Sequence, residues 1–267
     1  MSEYRIMAHM IPYYPDLESS FAVVQGILDG GARYLEIQIP FTDPSADGPV
    51  IEAACQIALK QGSTVDGYFA FVDRCAREIQ ARKTLGVTLN PDGCDIFVMS
   101  YASPVIARGV ERFAADAAAA GAKGLIVPDL PVDDDEGLGA ACVKNGLAFV
   151  PVVVPFIRKE RLESIVARKL PYIYCALRSG TTGNKTELTS EVRAFLKNSA
   201  AGGAKILGGF GLVEGSQVVT LAPDVHAAIV GSQIVRTTTR LHEAKAGTQE
   251  LREGVAGFVH SLVNPGS

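Results

Sequence analysis

Residues 35–49 read LEIQIPFTDPSADGP and bring Glu36, Asp43 and Asp47 into one short stretch. Carboxyl groups held in different surroundings can divide acid and base roles between them, which is the chemistry of proton transfer to and from a bound molecule. Tyr34 to Ile39 is rich in β-branched and aromatic residues, and Pro40 lacks the N–H that a ladder needs. A strand is therefore predicted to end about there, with Glu36 inside it. Glu is seldom buried without a reason. In a strand covered on both faces the charged form is disfavoured, and a group poised in that way can trade protons near neutrality. The structural alternative is a Glu tied to a neighbouring Lys or backbone amide in the wall of a sheet. Asp43 precedes a proline, and a turn cap describes it best.

Other stretches carry a different chemistry. Arg178-Ser179-Gly180-Thr181-Thr182-Gly183-Asn184 has no large apolar side chain. Its glycines suit a loop that closes over a ligand, and Thr181 and Thr182 offer hydroxyls; an exposed turn is the plain alternative. Gly208-Gly209-Phe210-Gly211 brings bare backbone close to whatever is bound, and Gly231-Ser232 opens a predicted short helix. Amides in glycine loops and at a helix N-terminus after the last two strands of an α/β barrel form a phosphate site. A phosphorylated small molecule is the predicted ligand.

The elements that must position these residues follow from the apolar pattern. Short β-rich runs recur at about Arg5–Ile11, Tyr34–Ile39, Asp95–Ser100, Gly124–Val127, Leu147–Val154, Tyr172–Ala176, Ala204–Leu207 and Ala227–Val230. Between them lie helical patterns at Leu17–Leu28, Ile51–Lys60, Val65–Arg82, Ala107–Ala120, Asp135–Asn145, Lys159–Arg168, Ser190–Ser199 and Ser216–Leu221. Strands alternating with helices in this way predict an α/β protein, a single (β/α)8 TIM barrel with extra helices over residues 1–267. Two helical segments fall between the second and third strands, and Gln249–Leu262 adds another after the eighth. No GxGxxG follows the first strand, which weighs against a dinucleotide-binding sheet. In such a barrel the site lies where the strands end, so Pro40–Pro49, Tyr101 and Pro128-Asp129-Leu130-Pro131 belong to its rim.

Bulk properties narrow the function. The 267 residues are 48% hydrophobic with a net charge of −4, and no Lys/Arg cluster makes a nucleic-acid footprint or a basic membrane-surface helix. No run approaches the length of a spanning helix and no leader pattern opens the chain, so a cytoplasmic protein is expected. Cys55, Cys75, Cys94, Cys142 and Cys175 are odd in number without a CxxC, which reads as reduced thiols. His9, His226, His242 and His260 lack ligand spacing, and no metal is expected.

PFTDPSADGP, VPDLPVDD at Val127–Asp134, SGTTG at Ser179–Gly183, GGFG at Gly208–Gly211 and IVGSQIV at Ile229–Val235, in that order and spacing, resemble the tryptophan synthase α-subunit family over nearly the whole chain. The resemblance implies a barrel that splits indole-3-glycerol phosphate into indole and glyceraldehyde 3-phosphate by a retro-aldol reaction. It also implies an α2β2 heterotetramer with a β chain. Pyridoxal phosphate belongs to that partner, and this chain carries no cofactor. Carried over by position, Glu36 and Asp47 take the catalytic places, Asp47 being nearer solvent and expected to stay ionised. Gly183, Phe210, Gly211, Gly231 and Ser232 take the phosphate site. Tyr101, Ile126, Val152 and Tyr174 form the indole pocket, and Thr182 is the mobile-loop threonine. Departures from the pattern include Tyr13-Tyr14-Pro15 for a Gly-Asp-Pro turn, Gln38 for a glycine, Pro128 for a small residue, and His9 for an aromatic or apolar pocket residue. A Gln at 38 is expected to crowd the strand, and His9 to pair with a carboxylate or with substrate. A second reading is a weakened phosphate-binding barrel that mainly activates its β partner. A Schiff-base aldolase or another phosphosugar enzyme ranks last, because no predicted strand ends in lysine.

Overall fold

The computed structural model describes residues 4–87, 90, 93–177, 188–209 and 211–266. Among these, nine strands form one sheet: β1 (Ile6–Met10), β2 (Tyr34–Gln38), β3 (Asp95–Met99), β4 (Ala122–Ile126), β5 (Ala148–Val150), β6 (Val152–Val153), β7 (Tyr172–Cys175), β8 (Lys205–Gly208) and β9 (Ala227–Val230). The order is β5-β4-β3-β2-β1-β9-β8-β7-β6, with every pairing parallel. β5 and β6 flank Pro151 in one run of chain, so the two edges of the sheet meet there, and the Pro151 carbonyl accepts from Tyr174 N–H at 2.9 Å. The result is a nearly closed (β/α)8 barrel. The single fifth strand expected over Leu147–Val154 is divided because proline has no N–H to give the ladder.

The α-helices are α1 (Leu17–Asp29), α2 (Pro49–Lys60), α3 (Val65–Leu85), α4 (Ala102–Arg108), α5 (Val110–Ala119), α6 (Leu138–Lys144), α7 (Lys159–Ala167), α8 (Ser190–Ser199), α9 (Gly215–Leu221), α10 (Ser232–Glu243) and α11 (Thr248–Val263). Local chemistry sets their ends. Asp16 caps α1 by accepting from Ser19 N–H, Thr64 caps α3, and α3 stops at Gly86 in the left-handed region. The helix expected over Ala107–Ala120 is two helices, because Gly109 at φ 88 turns the chain between α4 and α5. The one expected over Asp135–Asn145 begins later, at Leu138: the Asp135 carboxylate takes the Gly137 and Gly139 amides in a turn instead.

Strand alternation divides the core in two. Outward residues such as Ile6, Ala8, Leu35, Ile37, Ile96 and Val98 pack under the helices. Inward residues fill the barrel: Tyr34, Phe97 and Tyr172 meet edge to face with centroids 5.1–6.3 Å apart. Gly124 admits Phe97 there, since a Cβ would stand 2.9 Å from its ring. Tyr34 Oη and His226 Nε2, 2.8 Å apart, lie at the end where strands begin. With that end plugged by aromatics, a site belongs at the end where the strands finish.

Candidate active site

β2 presents Tyr34, Glu36 and Gln38 on its inner face, because successive alternate residues point the same way. Glu36 lies one layer above the aromatic plug and is 2% exposed. Its Cα partner across the ladder is His9 on β1, equally inward, and His9 Nδ1 is 3.4 Å from a Glu36 carboxylate oxygen. No lysine or backbone amide holds Glu36 among the described residues, so its neighbour is the histidine. Burial works against a charge on His9, but the Glu36 carboxylate and, more weakly, Asp47 outweigh it and raise its pKa above the ordinary value.

The loop after β2 turns Asp47 back over this pair. Its N–H bonds to the Pro44 carbonyl at 2.9 Å, and its Oδ2 accepts from Gln38 Nε2 and from Tyr101 Oη, each at 2.7 Å. Asp47 is thus held inward and not left to solvent as its loop position suggested. Burial raises its pKa, and the charge on His9 with the Tyr101 and Gln38 hydrogen bonds offsets that only in part. Gln38, expected to crowd the strand, is fully buried and braces Asp47. Asp43 is exposed, and its carbonyl takes Ser45 N–H. His9 Nε2, Glu36 Oε2 and Gln38 Oε1 are buried atoms without a hydrogen-bond partner.

Tyr101, Ile126, Val152 and Tyr174, from four different places around the barrel, belong to one inner apolar cluster beside these polar groups. Tyr101 is doubly fixed: Phe41 stacks on its ring with centroids 5.4 Å apart, and its hydroxyl also takes the Ala46 N–H. Phe41 had no role in the sequence reading, and Gln38 was expected only to crowd the strand, not to brace a carboxylate. A pocket wall for Phe41 was legible only in its place next to the strand end. The register Leu207 with Ala227 and Gly208 with Ala228 sets the ends of β8 and β9 side by side. The glycine turn after β8 therefore lies next to the start of α10. Gly211 has φ 69, in the left-handed region that favours glycine, and a Cβ on Gly209 would strike the Ile229 carbonyl oxygen at 2.8 Å. Gly231 precedes Ser232, the first residue of α10, which is a full 12-residue helix and not a short one. Phe210, Thr182 and Gly183 lie outside the described residues.

The rim is tied by Asp129, whose carboxylate caps Ala102 N–H at 2.9 Å at the start of α4. Tyr13, where glycine was the expected residue, has φ 64, and Tyr14 Oη lies 2.6 Å from Thr239 Oγ1 of α10. The strand lysines, Lys123 and Lys205, sit at the starting ends of β4 and β8. Both lie away from the mouth, so no strand lysine among the described residues is placed for a Schiff base. Among the described residues no helix is long and apolar enough to cross a membrane.

Fold and site define a (β/α)8 barrel with a buried cluster of carboxylates, an imidazole and an amide at its mouth, beside an aromatic pocket. A family model described as "Tryptophan synthase alpha chain" matches residues 2–261. The tryptophan synthase alpha chain of Carboxydothermus hydrogenoformans is 36% identical over 196 residues, 73% of this chain and 68% of the relative. That of Helicobacter hepaticus is 32% identical over 222 residues, covering 83% and 80%. Among solved structures, a tryptophan synthase from Mycobacterium tuberculosis superposes with a TM-score of 0.81 at 28% identity, covering 97% of this chain and 91% of that one. A tryptophan synthase complex from Pyrococcus furiosus superposes at 0.79 with 25% identity and 97% coverage of both. The chain belongs to the tryptophan synthase alpha chain family.

Proposed function

We propose that this protein is the alpha chain of a tryptophan synthase and cleaves indole-3-glycerol phosphate to indole and glyceraldehyde 3-phosphate. The observation that carries the reading is Glu36, buried on an inner strand face beneath a carboxylate that two hydrogen bonds hold inward. The bond between indole C3 and the glycerol carbon breaks once C3 has taken a proton. The adjacent hydroxyl then gives up its own proton as it becomes the aldehyde, and the bonding pair returns to the indole ring. One carboxyl can serve both transfers. Glu36 takes that role. Asp47 accepts the indole N–H and stabilises positive charge developing on the ring, in the wall formed by Tyr101, Ile126, Val152 and Tyr174. Gly183, Phe210, Gly211, Gly231 and Ser232 receive the phosphate, and Thr182 supports the closing loop. The reaction needs protons only, so the chain works without a cofactor. Pyridoxal phosphate belongs to the β chain, with which the protein forms an α2β2 assembly in the cytoplasm. The presence of both carboxylates in one cluster favours this over a barrel kept only as an activator.

Glu36→Gln tests the assignment. Indole release should fall by about 10²-fold or more, as for loss of a general acid–base group, while calorimetric affinity for glycerol 3-phosphate stays within about twofold. A variant that keeps more than about a tenth of the wild-type rate removes Glu36 from the role.

A further inference from the structure

The cluster contains more polar capacity than the two proposed carboxylates use. His9 Nε2 and Gln38 Oε1 are buried and lack a hydrogen-bond partner, and Glu36 Oε2 has only the 3.4 Å contact to His9 Nδ1. A buried donor or acceptor left unmatched is costly, so these atoms can take up the polar groups of a water or of a ligand that reaches them. Their setting says which part of a ligand that would be. His9 turns Nδ1 toward Glu36, while its ring edge lies against Gly231: a Cβ on that glycine would stand 3.3–3.5 Å from His9 Cβ, Cγ and Cδ2. His9 thus sits between the apolar pocket and the start of α10, at the middle of any ligand that reaches from one to the other.

We propose that His9 and Gln38 form a clamp for the hydroxyl-bearing middle of a phosphorylated polyol, His9 Nε2–H donating to a hydroxyl oxygen and Gln38 Oε1 accepting from a hydroxyl. His9 also acts as a positioning residue, since its other nitrogen holds Glu36. The clamp rests on the reading of the site given above and adds to it the part of the ligand that is selected. An apolar side chain at position 9 could pack against an indole but could not tell a hydroxylated linker from a plain one. The donor set here can, because a site with buried polar groups rejects the analogue that leaves them unmatched.

The charge on His9 gives an independent handle. Glu36 on β2 and Asp47 in the following loop favour the imidazolium, whereas β9 on its other side contributes only Ala227, Ala228, Ile229 and Val230. His9 should therefore stay protonated at pH above the ordinary histidine value and donate most strongly below it.

The test compares glycerol 3-phosphate with propyl phosphate by calorimetry on the full chain. Because both carry the same monoester group, the ratio of their affinities cancels the phosphate's own titration near about pH 6. Wild type should prefer the hydroxylated ligand by roughly tenfold, the scale of one charge-assisted hydrogen bond. That preference should shrink as pH rises through the His9 titration. His9→Phe should bring the ratio close to one, and His9→Gln, which keeps an uncharged donor, should give a smaller ratio that does not change with pH. If His9→Phe keeps the wild-type preference, or if folded His9→Gln keeps its pH dependence, the clamp is wrong even where wild type still releases indole. If wild type binds neither phosphate and releases no indole, both the clamp and the proposed function fall.

Discussion

Asp47 shows how far one side chain's setting can depart from its place in the chain. A loop between two prolines suggested a solvated carboxylate, yet Gln38 and Tyr101 draw Asp47 into the barrel mouth, and burial raises its pKa. Less proton affinity would follow from the His9 charge and the two hydrogen bonds alone, but burial is the largest cause and sets the direction. A carboxyl whose folded pKa is raised favours folding at low pH, and that contribution is lost as pH rises through the folded value. If Asp47 must be ionised for cleavage, the acid limb of the kcat profile lies above the usual carboxylate value of about 3.9. Tyr101→Phe removes a donor that favours the anion, so the limb should move to still higher pH. An unmoved limb would mean that another group sets it.

At the scale of elements, the barrel is closed by two close approaches. Pro151 joins its sheet edges, and α11 lies across α1, where a Cβ on Gly26 would stand 2.5 Å from the Arg252 carbonyl oxygen. Asp29, at the end of α1, takes hydrogen bonds from Arg82 of α3 and Arg252 of α11, which lower its pKa despite opposition from burial. Gly26→Ala must push the two helices apart and should destabilise the fold by about 1–3 kcal/mol. Chemical denaturation reads this directly, and a loss under about 0.5 kcal/mol would mean that the helices separate freely. Strand and helix order was legible because parallel strands buried on both faces read as apolar runs punctuated by glycine and proline. Breaks inside elements were not. Gly109 and Pro151 act within continuous apolar patterns, and the Asp135 turn replaces a helical start that periodicity alone supports. At the site, Glu36 stood out as a lone carboxylate in an apolar strand. The inward turn of Asp47 and the bracing by Gln38 depend on register between β2 and its following loop, which no local pattern encodes.

For the whole molecule, apolar side chains remain uncovered at several places, two of them after strand ends. Ile106 on α4 is 52% exposed, and Phe156, after β6, is 72% exposed. Both follow strand ends, on the side of the barrel that carries the carboxylate loop. The proposed assembly makes a linked prediction. Asp129 fastens α4 to the loop after β4, and Asp47 fastens the loop after β2 to Tyr101, next to α4. A ligand filling the site therefore bears on the docking rim through both. A ligand that favours the docked form is favoured by docking in return. Glycerol 3-phosphate should tighten α–β affinity by at least about fivefold, within the usual range of such couplings, and β chain should tighten glycerol 3-phosphate binding by the same factor. Ile106→Asp should weaken docking while leaving indole release by the isolated chain within about twofold, since the residue lies outside the pocket. Calorimetry at one salt concentration measures the three affinities, and an indole-release assay on the isolated chain measures the fourth quantity. Equal α–β affinity with and without ligand would exclude the coupling, and unchanged docking by Ile106→Asp would move the interface away from this rim.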